Sequence, residues 1–300
     1  MSLLLGYRTE DLKAMQFDIR RQRKSIMQHL TVIVPTYNEE INLQKCLKSL
    51  IKLAATIYVV DSGSNDKTTE IAKAFGAKVV DGRWNSFSEK LNWSIDNLPI
   101  DTPWVMRVDA DEHLTDDLID EIGITLPNVL PGVTAFEIKR RMAFLGRWIR
   151  HGGIYPSWQV RLWRTGKARF EMRNLDEHML IEGEVGRLTN DFVDENLKGL
   201  AIWIDKHNVY SDREKEEILQ CRTGNWGNLQ GQARIKRILK EGVYYRFPLF
   251  VRPLLYWIWR YFFRLGFLDG RPGLIYHFLQ GFWYRFLIDA KIFERRIGKE

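Results

Sequence analysis

The stretch TVIVPTYNEEINLQKCLKSLIKLAATIYVV fills residues 31–60 and holds a complete strand–helix–strand pattern. Residues 31–35 are a short apolar, β-branched run, the composition of a strand. Ile41, Leu43, Leu47, Leu50 and Ile51 then recur at near-helical spacing, which predicts a helix over 39–54. Residues 56–60 return to strand composition. The alternation continues outward: helix over 66–75, strand over 77–80, helix over 87–97, strand over 104–108, helix over 115–126. Strands and helices in this order predict right-handed crossovers and an α/β domain on a mainly parallel, Rossmann-like sheet flanked by helices. After Val133 the pattern changes. Residues 135–140 and 159–163 read as strands around the loop HGGIYP at 151–156, and 196–219 as a long, charge-rich helix.

The 300 residues are 45% hydrophobic and 28% charged, with no low-complexity tract, so the chain is globular and long enough to bury a sizeable core. Cys46 and Cys221 lie far apart without metal-ligand spacing, as expected of unpaired thiols in a reducing compartment. The apolar run of MSLLLGYRTEDLK is too short for a signal peptide. Both features point to a cytoplasmic protein. The net charge of +7 is uneven. Residues 243–300 hold ten Lys/Arg against four Asp/Glu, so +6 of it sits in this tail, which also carries 17 of the 38 aromatics between Tyr244 and Phe286. The organisation predicted is a helical lead-in over 1–30, an α/β domain over 31–222 and a helical, aromatic-rich extension over 223–300.

In open α/β sheets, ligands bind beyond the carboxyl ends of the strands. Three acid-bearing segments fall there. Asp109-Ala-Asp111-Glu112 crowds three carboxylates at one strand end, where they repel each other and resist desolvation. A divalent cation bridging to a phosphate would offset that repulsion; acids at the start of a helix capped by Thr115 are the structural alternative. Asp61-Ser-Gly-Ser-Asn-Asp66 can present a carboxylate to a base or ribose, with Asp66 or Asn65 capping the next helix. Pro35-Thr-Tyr-Asn-Glu39 offers Tyr37 as a stacking face and Asn38 as a helix cap.

These three segments, in this order and within residues 31–180, resemble the nucleotide-sugar half of glycosyltransferase family 2. Those enzymes are inverting and have the GT-A fold. The chain looks most like bacterial members that build lipopolysaccharide, capsule or exopolysaccharide. The resemblance implies that Pro35, Tyr37 and Glu39 line the nucleotide pocket, that Asp61 accepts from the base, and that Asp109 and Asp111 form the D-x-D pair. Asp111 is then the more direct ligand of Mg²⁺ or Mn²⁺, with Asp109 nearer the ribose. FSEKLNWSI places Lys90 and Asn92 where the family has nucleotide-facing residues, a surface lysine and a turn asparagine being the alternatives. Inverting transfer needs a base for the acceptor proton. The candidates are Glu177 first and Asp176 second, where the family often has a Glu-Asp pair, with His178 placed to orient the base or contact phosphate. His207 is a further candidate ligand for metal or diphosphate. The Q-x-x-R-W signature of processive synthases is absent, which predicts transfer of one sugar.

The tail segments PLLYWIWRYFFRLG (253–266) and LIYHFLQGFWYRFLI (274–288) interleave aromatics with arginine. The longest uncharged run here, 272–284, has 13 residues, short of the ~20 needed to span a bilayer. Trp, Tyr and Arg favour the membrane interface. Two in-plane helices on the cytoplasmic leaflet are therefore expected, near a lipid-linked acceptor. Packing on the catalytic domain, or on a second copy in a homo-oligomer, is the alternative. The tail is too apolar for nucleic acid. Two rival functions share these features: a polyprenyl-phosphate sugar transferase, which needs no base, and an inactive membrane-bound scaffold.

Overall fold

The computed structural model describes residues 29–84, 86–171, 179–220, 242 and 244–298. The expected lead-in helix and the boundary at 222/223 lie outside them. The centre of the domain is β1 (Leu30–Thr36), buried along its whole length. It pairs in parallel with β2 (Thr56–Asp61) on one side and β4 (Trp104–Arg107) on the other, and β3 (Lys78–Asp81) extends the sheet beyond β2. The connecting helices are α1 (Leu43–Leu50), α2 (Thr68–Ala74) and α3 (Phe87–Asn97).

Side chains alternate across a strand, and two apolar cores follow from that alternation. Val32 and Val34 of β1 pack under Leu43, Leu47 and Leu50 of α1, together with Leu118, Ile119 and Ile122 of α4 (Asp116–Thr125). Ile33 faces the other way, with Val60, Val105, Trp163 and Leu91 of α3. Thr115 caps α4 as expected, accepting from the Leu118 N–H at 3.2 Å. The helix expected over 39–54 is shorter than its apolar stripe because Glu39 and Asn42 are used in the loop that precedes it.

The second half of the sheet is mixed. β8 (Ser157–Arg164) runs antiparallel to β4 and to β6 (Val133–Phe144), whose end hairpins with β7 (Arg147–Trp148). β11 (Glu184–Glu195) is parallel to β6 and antiparallel to the three-residue β5 (Glu112–Leu114). The resulting order is β3-β2-β1-β4-β8-β6-β11-β5, with β9 (Ala168–Phe170) and β10 (Met179–Ile181) forming a separate hairpin. Thus Glu112 lies in a strand opposite Asp194, and the acids at 109–112 do not begin a helix.

α5 (Leu200–Gln220) leads out of the sheet. In the tail, α6 (Val251–Ile258) continues as a π-helical turn, Trp259–Phe263, and α7 (Gly270–Phe278) continues through a second π-turn into α8 (Tyr284–Ile297). These helices pack on the catalytic domain with one face. Asp269 is buried and accepts from the N–H groups of Arg150 and His151 and pairs with the His151 ring. Arg260 donates to the Gly152 carbonyl at 3.0 Å, and the Gly152 N–H to the Arg264 carbonyl at 2.8 Å. Gly152 has φ +67, and a Cβ there would lie 2.1 Å from the buried His277 ring. Tyr276, Phe144 and Trp203 complete this contact. No helix of the described residues is long and apolar enough to cross a membrane.

Candidate active site

The carboxyl ends of β1, β2 and β4 are neighbours, so the three acid-bearing loops meet. Asp61 is buried, and its carboxylate accepts from the hydroxyls of Thr36 (2.8 Å) and Ser64 (2.6 Å) and from the N–H groups of Gly63 (3.0 Å) and Ser64 (2.6 Å). A carboxylate has about four acceptor positions. The contact with a base that the resemblance implies would therefore require Asp61 to exchange one of these partners.

The first two loops are stitched together. Asn38, at φ 54, receives the Asn65 N–H on its side-chain oxygen (2.9 Å) and donates its own N–H to Ser64 (2.8 Å). It links loops and does not cap α1, contrary to expectation. Glu39 N–H donates to the Thr68 hydroxyl, and Asp66, one residue ahead of the Lys67 N-cap of α2, accepts the Thr68 N–H at 2.9 Å. Pro35 is buried in β1 opposite Val60. Tyr37, 59% exposed, stands at the rim.

Lys90 is no surface lysine. It is buried, and its ammonium donates to the Thr36 carbonyl (2.9 Å) and the Ser62 hydroxyl (2.8 Å) beneath both loops. Burial lowers its pKa to about 8, against the pull of Asp61, Asp109 and Glu39. Asn92 turns the other way. Its amide makes two 2.9 Å bonds with the N–H and carbonyl of Phe170, so it holds β9 and does not face the loops.

The crowded acids are largely neutralised by the protein itself. Arg107 grips both oxygens of Asp109 through one guanidinium edge, Nε at 2.8 Å and Nη2 at 2.7 Å, and rests on the Phe87 ring. Arg161, buried on β8, binds Glu112 and reaches Asp109 at 3.4 Å. Burial opposes ionisation of Asp109, but these two cations outweigh it and hold its carboxyl well below the usual range. Burial pushes Glu112 and Asp194 upward. The repulsion read from the sequence as a call for a cation is thus met, for Asp109 and Glu112, by Arg107 and Arg161.

Asp111 differs: its hydrogen-bond partner is the Asn196 amide, at 3.1 Å. Asn196 belongs to the connection between β11 and α5, which sequence reading missed. There Lys198 pairs with Glu39 at 2.6 Å and the Leu197 N–H donates to Asn42. Burial raises the Glu39 carboxyl, against Lys198 and Asn42. No local pattern marks these residues, because Lys198 and Glu39 are 159 positions apart.

Among the described residues, no three His, Cys, Asp or Glu converge to cage a metal. A single carboxylate is still a suitable donor for Mg²⁺ or Mn²⁺ when phosphate oxygens and waters complete the shell, and Asp111 fits that role. His207 does not join it. Its ring stacks on Trp203 at 3.5 Å, bonds the Trp203 carbonyl and meets Tyr284 edge-on, which makes it a packing residue between α5 and α8. Asp176, Glu177 and His178 lie outside the described residues. The flanks of that segment are described: Met179 pairs with Phe170, whose ring lies 5.6 Å from the Arg107 guanidinium.

Glycosyl transferase family 2 matches residues 31–197, more than half of the chain, and the chain belongs to that family. The sheet and its flanking helices are the GT-A architecture, carrying an aromatic-rich helical extension. The lipopolysaccharide core biosynthesis glycosyltransferase LpsC of Rhizobium meliloti (strain 1021) is 26% identical over 284 residues, covering 90% of this chain and 94% of its own. The glycosyltransferase RT0209 of Rickettsia typhi is 26% identical over 272 residues, covering 89% and 88%. Among solved structures, S. aureus TarS 1–349 superposes over 90% of this chain and 92% of its own, with a TM-score of 0.46 and 15% identity.

Proposed function

We propose that this glycosyltransferase moves a single sugar, with inversion, from a UDP-sugar to a hydroxyl of a glycan or lipid-linked glycan in cell-surface polysaccharide synthesis. It works at the cytoplasmic face of a membrane. The observation that supports this best is the convergence of three strand-end loops around Lys90, Lys198 and Asp111. The two ammonium groups suit a diphosphate, and Asp111 is the carboxylate of its trio whose partner is an amide.

In this reading Tyr37 stacks on the base at the rim, and Lys90 and Lys198 draw the diphosphate between the first loop and the 196–198 connection. Asp111 would hold Mg²⁺ or Mn²⁺, which when bound would supply positive charge against that growing on the leaving diphosphate. Asp109, fixed by Arg107, faces the ribose. Glu177, with Asp176 as the alternative, takes the acceptor's proton. Phe170, pinned by Asn92, sets where that segment begins.

Calorimetry with UDP, GDP and CDP, with and without Mn²⁺, tests the donor site. UDP should bind most tightly, Mn²⁺ should strengthen it, and Asp111→Ala should abolish the metal effect. Indifference to nucleotide and metal overturns the reading. Glu177→Gln should lower kcat about 10²- to 10⁴-fold while leaving UDP affinity unchanged. An unchanged kcat would move the role to Asp176.

A further inference from the structure

More than half of the large apolar side chains that remain exposed among the described residues lie between Phe247 and Ile297. They concentrate at the corner joining α6 and α7. There Trp259, Phe262, Phe263, Leu265, Phe267 and Leu268 are each 44–74% exposed within ten residues. Packing is not the reason for their presence, since the opposite face of the same helices carries the buried contacts through Arg260, Asp269, Tyr276 and His277. An apolar surface of this extent marks an interaction site.

Charge selects the partner. The exposed charged residues over 244–298 are Arg246, Arg264, Arg271, Arg296 and a single acid, Glu294. Asp269 is tied to His151, and Asp289 is buried in a bidentate pair with Arg252. Aromatic and aliphatic side chains rimmed by arginine match the boundary between acyl chains and anionic headgroups. A two-fold contact with a second copy would bring this basic rim against itself.

We propose that the 259–268 corner inserts into a bilayer containing anionic phospholipid, with Arg264 and Arg271 on the headgroups. This rests on the placement at a membrane proposed above and names the surface that achieves it. The corner is also clamped to the catalytic domain. Gly152 bonds Arg264 in one direction and Arg260 in the other. The Phe144–Trp203–Tyr276 contact then ties α7 to β6 and α5, so insertion at the corner fixes the active site's height and orientation over the membrane.

Flotation of the full chain with vesicles tests this, using phosphatidylcholine alone and phosphatidylcholine with phosphatidylglycerol. The chain should float with the anionic vesicles and stay behind with the neutral ones. Phe263→Ser with Leu268→Ser, both at exposed positions, should weaken binding about tenfold or more. Arg264→Glu with Arg271→Glu should abolish the preference for anionic lipid. Both variants should keep the wild-type melting temperature and UDP affinity. Equal flotation of wild type and variants overturns the proposal, as does a chain that never floats. So does a wild-type dimer in light scattering that Phe263→Ser with Leu268→Ser turns into monomer. Because the readout is vesicle binding, its failure leaves UDP recognition untouched, and failure of UDP binding leaves the lipid surface standing.

Discussion

Arg161 is the residue on which the acidic strand end depends. It is buried between Glu112 and Asp109, and it is the cation that Glu112 meets. Removing Arg161 strips a buried carboxyl of its donor, which costs about 1–3 kcal/mol. Arg161→Met should lower stability by about that amount in urea unfolding at pH 7, while Asp111→Ala, at a half-buried carboxylate with an amide partner, should cost far less. Lys90 makes a separate prediction. Its burial lowers the ammonium pKa to about 8, so the group loses its charge as pH rises through that value. Attraction for a diphosphate is present below pH 8 and lost above it. UDP affinity should therefore fall as pH passes about 8, and Lys90→Arg should flatten the profile, because a guanidinium keeps its proton.

Among the elements, those whose signal is local were legible. β1, β2, β3 and β4 each carry a short apolar run, and α3 and α4 carry clear stripes. β5 and β11 were not. The three residues of β5 sit inside an acid cluster that reads as a helix start, and β11, EVGRLTNDFVDE, is diluted with polar residues. The site divides the same way. The sequence and its family resemblance single out Asp109, Asp111 and Lys90, which lie at or beneath the strand-end loops, whereas Arg107, Arg161, Asn196 and Lys198 act through partners distant in sequence or with no motif of their own. Asn92 illustrates the difference: the resemblance places it toward the nucleotide, but its amide is committed to the Phe170 backbone, 78 residues away. Asn92→Ala leaves the Phe170 backbone groups without their partners and should cost about 1–3 kcal/mol. With Glu177 as the proposed base, it should lower kcat more than UDP affinity, because Phe170 precedes the segment that carries that residue. Leu47→Ala, in the core under α1, should cost about 2–5 kcal/mol, measurable by denaturant unfolding.

At the level of the whole molecule, composition announced a tail with its own role but not its attachment. The expected pair of helices is present, and one face of them is buried on the catalytic domain, an arrangement set by His151, Gly152 and Phe144 far upstream. The two sides of the tail are thus differently constrained. Surface substitutions at the 259–268 corner should leave thermal unfolding unchanged, whereas Asp269→Ala, which strips the partners from His151 and two backbone N–H groups, should lower the unfolding temperature.

Position 152 gives a way to prise these halves apart. The space beside it is already filled by an imidazole, and its backbone is in the left-handed region. One added methyl is therefore a wedge driven exactly into the seam. Gly152→Ala should yield a chain that still captures UDP yet holds its C-terminal helices loosely, visible as protease cuts opening within 244–298. Such a variant would uncouple the C-terminal helices from UDP binding by replacing one hydrogen with a methyl group.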